Sequence, residues 1–257
     1  MDGSIFRFKH FQVRNERSAM KVNTDGVLLG AAVGLEGLAT SADDGIRVLD
    51  AGTGTGTIAL MIAQRLKALG KECHILGIDI DAVSAEEAAA NFAESPWPEA
   101  LSCRHLPLDK CEGEFELIVS NPPYYDPTLQ NPDERKNTAR HCSDRGNEGP
   151  GMSFRNLVDF ASGHLSNGGR LALILPSDRE KDLLEYADAN GLAPCRLLRI
   201  RTVERKAPSR IVAEFMKESS PDKKSGLPYK SESLTIRENG DFSREYALLM
   251  RDFYLWG

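Results

Sequence analysis

The chain has 257 residues and a formal net charge of −6, with 32 basic and 38 acidic side chains. Its hydrophobic and charged fractions, 41% and 27%, are typical of globular proteins, so the composition excludes a wholly disordered chain. The acidic total excludes a protein that coats nucleic acid by bulk charge, although it leaves room for a locally basic surface.

Strand and helix patterns alternate along the middle of the chain, between residues 46 and 191. The predicted strands are 46–51, 74–80, 101–106, 115–120, 169–175, 195–201 and 210–215. The predicted helices are 57–69, 82–93, 154–165 and 180–190. Such alternation is typical of a parallel sheet with helices on both faces, whereas the last two strands can pair only as an antiparallel hairpin. We therefore predict an α/β fold with a seven-stranded, mostly parallel sheet and an antiparallel edge strand.

A glycine-rich turn lies between the first predicted strand and the first predicted helix. Its residues are Asp50-Ala51-Gly52-Thr53-Gly54-Thr55-Gly56. Glycines there let backbone amides approach a ligand at a helix N-terminus, and Asp79, which ends the next strand, can accept hydrogen bonds from a ribose diol. The turn also matches the dinucleotide pattern G-x-G-x-x-A, and in a purely structural interpretation its glycines only shorten the connection. Asp50 favours S-adenosylmethionine, because a carboxylate can meet its cationic amino group but would repel a pyrophosphate.

A second motif, Asn121-Pro122-Pro123-Tyr124, follows the fourth predicted strand, at the strand end where ligands bind in open α/β sheets. The prolines restrict the backbone, so the side-chain amide oxygen of Asn121 and the backbone carbonyl of Pro122 can accept both hydrogens of a planar amino group. A ring carrying that amino group can stack on Tyr124. Positioning of the amino group then suffices for methyl transfer without a strong base. In a purely structural interpretation, the two prolines only make the chain rigid where it leaves the strand.

Together these motifs resemble class I S-adenosylmethionine-dependent methyltransferases that act on planar amino groups and have a Rossmann-like fold. The resemblance covers about residues 20–216. It implies that the glycine loop and Asp79 bind the cofactor. It also suggests that Asp109, after the third strand, meets the adenine of the cofactor.

Four further stretches look like the bacterial valine-tRNA adenine-37 N6-methyltransferase family. They are 6–11, 20–30, Asn121 to Tyr125, and Arg140-His141. The resemblance implies that the segment from Thr24 to Gly26 closes over the methionine end of the cofactor. An amphipathic helix that packs on the sheet is the alternative for that segment. Tyr124 fits an adenine or glutamine substrate, whereas related guanine enzymes often carry Phe there.

Basic residues concentrate in three segments that we predict to contact RNA. They outnumber acidic ones over 1–21, where Phe6, Phe8 and Phe11 are interleaved, and over 196–210; a third set follows the Asn-Pro-Pro-Tyr motif. Ordinary solvated charges are the alternative interpretation. The candidate RNA contacts are Arg7, Lys9, Arg140, Arg199, Arg201, Arg205 and Lys206.

We expect one domain over 1–257, made of an N-terminal cofactor- and RNA-contact segment (1–45), a catalytic core (46–217) and a C-terminal extension (218–257). The segments 126–153 and 219–230 are predicted loops. The apolar stretch 27–35 is too short to cross a bilayer, and the first residues do not form a signal peptide. Five scattered cysteines without a C-x-x-C pair suit the cytoplasm. We expect no bound metal, no membrane contact and no obligate protein partner.

The sequence thus predicts methylation of an adenine N6 in RNA, with the anticodon loop of valine tRNA as the favoured target. N5-glutamine methylation of a protein is an alternative, although about 45 residues before the first core strand leave little room for a separate substrate domain. A non-catalytic cofactor- and RNA-binding module is another alternative, against which Asn121 and Tyr124 argue. A nicotinamide-dependent oxidoreductase is disfavoured by Asp50.

Overall fold

The computed structural model describes residues 4–38, 45–123, 152–217 and 229–256. Strands β1 (Ile5–Arg7) and β2 (Gln12–Arg14) form an antiparallel hairpin, which precedes helix α1 (Thr24–Ala32). The alternating part contains β3 (Ile46–Ala51), α2 (Thr57–Ala68), β4 (Cys73–Asp79), α3 (Ala82–Ala93), β5 (Leu101–His105) and β6 (Phe115–Ser120). It continues with α4 (Phe154–His164), β7 (Leu165–Pro176), α5 (Glu180–Ala189), β8 (Leu192–Val203) and β9 (Arg210–Lys217). Strands β10 (Lys230–Glu238) and β11 (Asp241–Phe242) and helix α6 (Arg244–Met250) follow.

The described strands other than the β1–β2 hairpin form one sheet in the order β11-β10-β8-β9-β7-β6-β3-β4-β5. Strands β3 to β7 run parallel to one another. Strand β9 is antiparallel to both β7 and β8. The α/β class, the mostly parallel sheet and the antiparallel β8–β9 hairpin are therefore confirmed.

The sheet differs from the prediction in its number of strands, which is nine rather than seven. The C-terminal extension adds β10, which is parallel to β8, and β11, which is the antiparallel edge strand. Strand β9 lies between β7 and β8, so it is an interior antiparallel strand and not the predicted edge strand. Only Leu234 of β10 is buried, so the apolar signal that predicts strands is nearly missing from this segment.

Two apolar cores cover the two faces of the sheet. Helices α1, α2, α3 and α6 pack on one face, and α4 and α5 pack on the other. Every residue of 26–32 in α1 is buried, so α1 is an internal helix rather than an amphipathic one. A Cβ atom at Gly30 would lie 2.9 Å from the sulfur of Met61, which shows how closely α1 approaches α2. No helix within the described ranges is long and apolar enough to span a membrane.

The topology brings the carboxyl ends of β3, β4, β6, β7, β8 and β10 to the same edge of the sheet. The turn after β3, Asp79 at the end of β4 and Asn121 after β6 therefore lie at one edge, as the sequence predicts. The tip of the β8–β9 hairpin lies at this edge too, because Ser177, just after β7, donates a hydrogen bond from Oγ to the carbonyl of Pro208 at 2.6 Å.

Candidate active site

The glycine loop after β3 has a backbone that requires glycine. Gly52, Gly54 and Gly56 have φ angles of +70°, +57° and +81°, which L side chains rarely adopt. The amides of Gly52 and Thr53 both donate to the carbonyl of Ile78 at 2.9 Å, so the loop is fixed to β4. A Cβ atom at Gly56 would lie 2.4 Å from Cε1 of Phe92. Gly56 is therefore also required for packing against α3.

Asp79 lies beside this loop, where the sequence predicts it. Its Oδ2 accepts a hydrogen bond from the amide of Gly54 at 2.9 Å, and its Oδ1 accepts one from the amide of Asp81 at 2.9 Å. Burial raises the pKa of the Asp79 carboxyl, and these hydrogen bonds oppose that rise. Asp79 thus holds the loop at the ligand edge, and its contact with a ribose stays a prediction.

Asp50 is completely buried behind the loop and does not line the cleft. Its Oδ2 accepts hydrogen bonds from Oγ1 of Thr53 at 2.7 Å and from the amide of Ala59 at 3.2 Å. Its Oδ1 has no hydrogen-bond partner among the described residues. Burial raises the pKa of Asp50 to about 7. The free acceptor oxygen suits a cationic ligand group, but direct contact with that group stays a prediction.

A cleft lies between the glycine loop, the N-terminal segment and the Asn-Pro-Pro motif. Its lining residues are Met20, Lys21, Val22, Asn23, Gly26, Gly52, Thr53, Gly54, Thr55, Thr57, Ile58 and Asn121. The glycine loop and the small side chains at the start of α2 form one side of this cleft, here called the cradle. Backbone amides at a helix start favour anionic groups, so the cradle fits the polar end of a nucleoside cofactor.

Asn121 forms one wall of this cleft and is only 7% exposed. Its Nδ2 donates to Oδ1 of Asn23 at 3.3 Å and approaches Sδ of Met20 at 3.9 Å. Its Oδ1 is buried and has no partner among the described residues. Pro122 is buried beside it, whereas Tyr124 lies outside the described residues. The motif therefore presents one free acceptor next to the cofactor cradle.

The N-terminal segment 14–23, here called the strap, lies within the predicted contact segment 1–45, but sequence reasoning missed how the strap is anchored. Glu87 of α3 is 3% exposed and accepts hydrogen bonds from the strap's backbone amides. Asn91 of α3 accepts from the amide of Arg14 at 2.8 Å and donates to the carbonyl of Thr55 at 2.8 Å. The strap is thus fastened both to α3 and to the glycine loop. The sequence did contain a signal for this anchoring, namely the polar residues Glu87 and Asn91 inside an alanine-rich helix.

Two further predicted cofactor residues occupy less central positions. Thr24 is the exposed first residue of α1, whereas its neighbours Asn23 and Gly26 line the cleft. Asp109 lies in a short 3-10 turn, and its side chain is 72% exposed and 3.7 Å from the ammonium of Lys110. Ile80, directly after Asp79, is a large apolar side chain that is 46% exposed at this edge. The cofactor contacts of Thr24 and Asp109 stay predictions.

The N-terminal hairpin corrects one expectation. Phe8 and Phe11 are buried and stack with their ring centroids 4.5 Å apart, and Phe6 packs against them. Because these rings belong to the core, they are not free to stack on bases. Arg7 and Lys9 are exposed, and Nζ of Lys9 donates to the carbonyl of Arg251 at 2.5 Å.

The β8–β9 hairpin carries less free positive charge than its sequence indicates. Arg196 pairs with Glu214 at 2.6 Å and with Glu232 at 2.5 Å, and Arg199 pairs with Glu180 at 2.5 Å. These carboxylates come from other strands and helices, so the local sequence could not reveal the neutralisation.

Three other basic side chains remain near the tip of this hairpin. Arg201 is half-buried and donates to the carbonyl of Glu204 at 3.4 Å, whereas Arg205 and Lys206 are exposed. Arg140 lies outside the described residues. The RNA contacts of all these residues stay predictions.

Comparisons with known proteins agree with this geometry. A family model described as a methyltransferase domain matches residues 48–145. The chain is similar to the tRNA1(Val) (adenine(37)-N6)-methyltransferase of Bacteroides fragilis, with 35% identity over 99% of both chains. It is 39% identical to the protein of the same name from Porphyromonas gingivalis, over 99% of this chain and 96% of the relative. A solved structure described as a predicted O-methyltransferase from Agrobacterium tumefaciens has the same fold, with a TM-score of 0.60 and 16% identity over 89% of this chain and 96% of that one.

The fold, the glycine loop and the Asn-Pro-Pro motif define an S-adenosylmethionine-dependent methyltransferase of class I. S-adenosylmethionine is its cofactor, and the cradle, the free carboxylate oxygen of Asp50 and the position of Asp79 fit that molecule. More narrowly, the chain belongs to the tRNA1(Val) (adenine(37)-N6)-methyltransferase family.

Proposed function

We propose that this enzyme methylates N6 of adenine 37 in the anticodon loop of valine tRNA. Near full-length similarity to relatives of that name supports the substrate. The observation that carries the chemistry is the buried, unpartnered Oδ1 of Asn121 beside the cofactor cleft. An acceptor at that position suits a substrate that brings an N–H donor, as the exocyclic amine of adenine does.

When bound, S-adenosylmethionine supplies an activated methyl group on its sulfonium. The residues of the chain orient the amine: Oδ1 of Asn121 and the carbonyl of Pro122 accept its two hydrogens, which leaves the nitrogen lone pair free to face the methyl group. Tyr124 stacks on the base. Because positioning lowers the barrier, no strong base is required at the nitrogen. The glycine loop, with Asp50 and Asp79, and the residues Thr24 and Asp109 hold the cofactor.

The tip of the β8–β9 hairpin supplies a basic surface for the tRNA backbone. Arg201, Arg205 and Lys206 lie at the same edge of the sheet as Asn121. Phosphate contacts from these side chains position the stem, while the target base enters the cleft. An unpaired loop base is cheaper to extrude than a paired one, so no separate unwinding domain is needed. Arg7, Lys9 and Arg140 contribute further charge, whereas the pairing of Arg199 with Glu180 limits its contribution.

We also propose that the N-terminal segment, the catalytic core and the C-terminal extension work as one domain. Direct pairing of β10 with β8 supports this organisation. Since tRNA is the substrate and the cysteines form no C-x-x-C pair, we place the enzyme in the cytoplasm.

The test incubates the purified protein and labelled S-adenosylmethionine with total tRNA, rRNA and protein from a strain that lacks the gene. We expect label in tRNA, as N6-methyladenosine at position 37 of valine tRNA. Label in protein or rRNA alone would contradict the proposal. Asn121→Ala should abolish transfer and leave cofactor binding, measured by calorimetry, largely unchanged.

A further inference from the structure

The orientation of the Asn23 side chain is fixed by the backbone around it. Its Oδ1 accepts a hydrogen bond from the amide of Gly26 at 2.9 Å, which caps α1, and its Nδ2 donates to the carbonyl of Lys21 at 2.9 Å. Exchanging the two ends would place an NH₂ group against an N–H donor and an oxygen against a carbonyl. The end of Asn23 that faces Asn121 is therefore an acceptor.

This acceptor determines which end of Asn121 faces the strap. Nδ2 of Asn121 donates to Oδ1 of Asn23 at 3.3 Å and approaches Sδ of Met20, which is also an acceptor, at 3.9 Å. The opposite end of the amide is then necessarily Oδ1, which is buried and unpartnered among the described residues. With the amide reversed, Nδ2 would point to the substrate and repel an incoming amino group.

We propose that Asn23 is a positioning residue for methyl transfer: it holds the amide of Asn121 with its oxygen toward the target amine. This inference rests on the proposed role of Asn121. It assigns to the strap a role in the reaction, beyond forming a wall of the cofactor cleft. Asn23 acts through Asn121 and does not itself touch the reacting atoms.

Two substitutions separate this role from the helix cap. Asn23→Ser keeps a hydroxyl that caps α1 but is too short to reach Asn121. Asn23→Asp keeps an oxygen that accepts from both Gly26 and Asn121. Its second oxygen would face the carbonyl of Lys21, but this contact is exposed, so a water molecule can donate to both oxygens. We expect Asn23→Ser to lower kcat by about 10-fold or more, and Asn23→Asp to stay within about 3-fold of the wild type. Because Asn23 also lines the cofactor cleft, the Kd for S-adenosylmethionine should weaken in Asn23→Ser, but by a smaller factor than kcat falls. The Tm should change little in both variants.

The kinetic constants of these variants distinguish a positioning role of Asn23 from a role in lining the cleft alone. A weaker Kd for the cofactor with unchanged kcat in Asn23→Ser would overturn the inference, because Asn23 would then only line the cleft. Equal loss in Asn23→Ser and Asn23→Asp would also overturn it.

A measurement without substrate keeps this inference separate from the proposed function. The side-chain amide protons of Asn121, assigned by their disappearance in Asn121→Ala, should exchange with solvent faster in Asn23→Ser than in the wild type or in Asn23→Asp. Unchanged exchange overturns the positioning role. Absence of label in tRNA with the wild-type enzyme would instead overturn the proposed function, whatever the exchange rates show.

Discussion

The buried carboxylate of Glu87 accepts a hydrogen bond from the backbone amide of Ser18 at 2.7 Å, and its other oxygen accepts from the amides of Glu16 and Arg17 at 2.8 Å. One side chain of α3 thereby holds three consecutive amides of the strap. Five residues beyond Ser18, Asn23 meets Asn121. Glu87 therefore controls the position of the strap without contacting the cleft.

Replacing Glu87 tests this dependence. Glu87→Gln turns one acceptor oxygen into a donor that faces backbone amides, which should cost about 1–3 kcal/mol for the groups left unpaired. We expect faster hydrogen exchange over residues 16–23 and a cofactor Kd weaker by roughly 10-fold. The neighbouring Glu86→Gln is a matched control, because Glu86 is 63% exposed and pairs only at the surface with Arg17. Similar effects in both variants would contradict the anchoring role.

Asp50→Asn tests the charge behind the glycine loop. The amide oxygen can still accept from Thr53 and Ala59, so the loop should keep its shape. If Asp50 pairs with the cofactor's amino group, the Kd should weaken by about 10- to 100-fold, the range of a charge-assisted hydrogen bond. Calorimetry measures this change, and an unchanged Kd would limit Asp50 to supporting Thr53.

The raised pKa of Asp50 also predicts a pH dependence. A carboxyl with a folded-state pKa of about 7, above its ordinary 3.8, favours the protonated form in the folded protein, so its contribution to stability is lost as pH rises through about 7. A cationic ligand group instead requires the ionised carboxylate. Cofactor affinity should therefore increase as the pH is raised through about 7 and level off above it. The difference between wild type and Asp50→Asn should vanish at low pH. A parallel pH profile for the two proteins would refute this pairing.

Gly56→Ala should destabilise the fold more than an alanine at another left-handed glycine. The new methyl group would collide with Phe92, adding an overpacking cost of about 1–3 kcal/mol to the backbone cost of about 1–2 kcal/mol. Gly70 has a φ angle of +67° and open space around its Cβ direction, so Gly70→Ala should show the backbone cost alone. Denaturant unfolding of both variants measures the difference. Equal losses would mean that α3 moves to admit the methyl group.

Removing the exposed charges at the hairpin tip should weaken tRNA binding. Arg205→Ala with Lys206→Ala should raise the Kd and reduce the slope of log Kd against log salt by roughly one to two. Lys67→Ala with Lys71→Ala is the control, because Lys67, in the last turn of α2, and Lys71, in the turn before β4, lie at the opposite edge of the sheet. Filter binding at several salt concentrations measures both. An unchanged slope in the hairpin variant would show that Arg205 and Lys206 are ordinary solvated side chains without a tRNA contact.

Local patterns predicted the core of the fold because each element there carries its own signal. Strand β3 is apolar and runs into a glycine turn, and α2 has helical apolar spacing. The relation between the glycine loop, Asp79 and Asn121 followed from topology alone, since parallel strands bring their carboxyl ends together. The shared position of these residues at one edge of the sheet was thus accessible without coordinates.

Long-range pairing explains what the sequence did not reveal. Arg199 is neutralised by its ion pair with Glu180. The position of the strap depends on Glu87, which is 69 positions away from Ser18. The aromatic residues of the N-terminal hairpin suited RNA contacts by composition, yet Phe8 is buried in the core. Strand β10 carries little apolar signal because Leu234 is its only buried residue, and only the short strand β11 lies beyond it in the sheet. Such outcomes depend on tertiary contacts that no local window contains.

The contact between the N-terminal hairpin and the C-terminal segment reaches as far as the active site. The amide of Lys9 donates to the carbonyl of Phe253 at 2.8 Å, and the rings of Phe8 and Tyr254 stack at 6.2 Å. The hairpin leads directly into the strap, whose residues Met20 to Asn23 line the cofactor cleft. Phe253 and Tyr254 therefore help to fix one wall of a cleft that they do not touch, so a substitution at either can loosen the cofactor site without altering its lining.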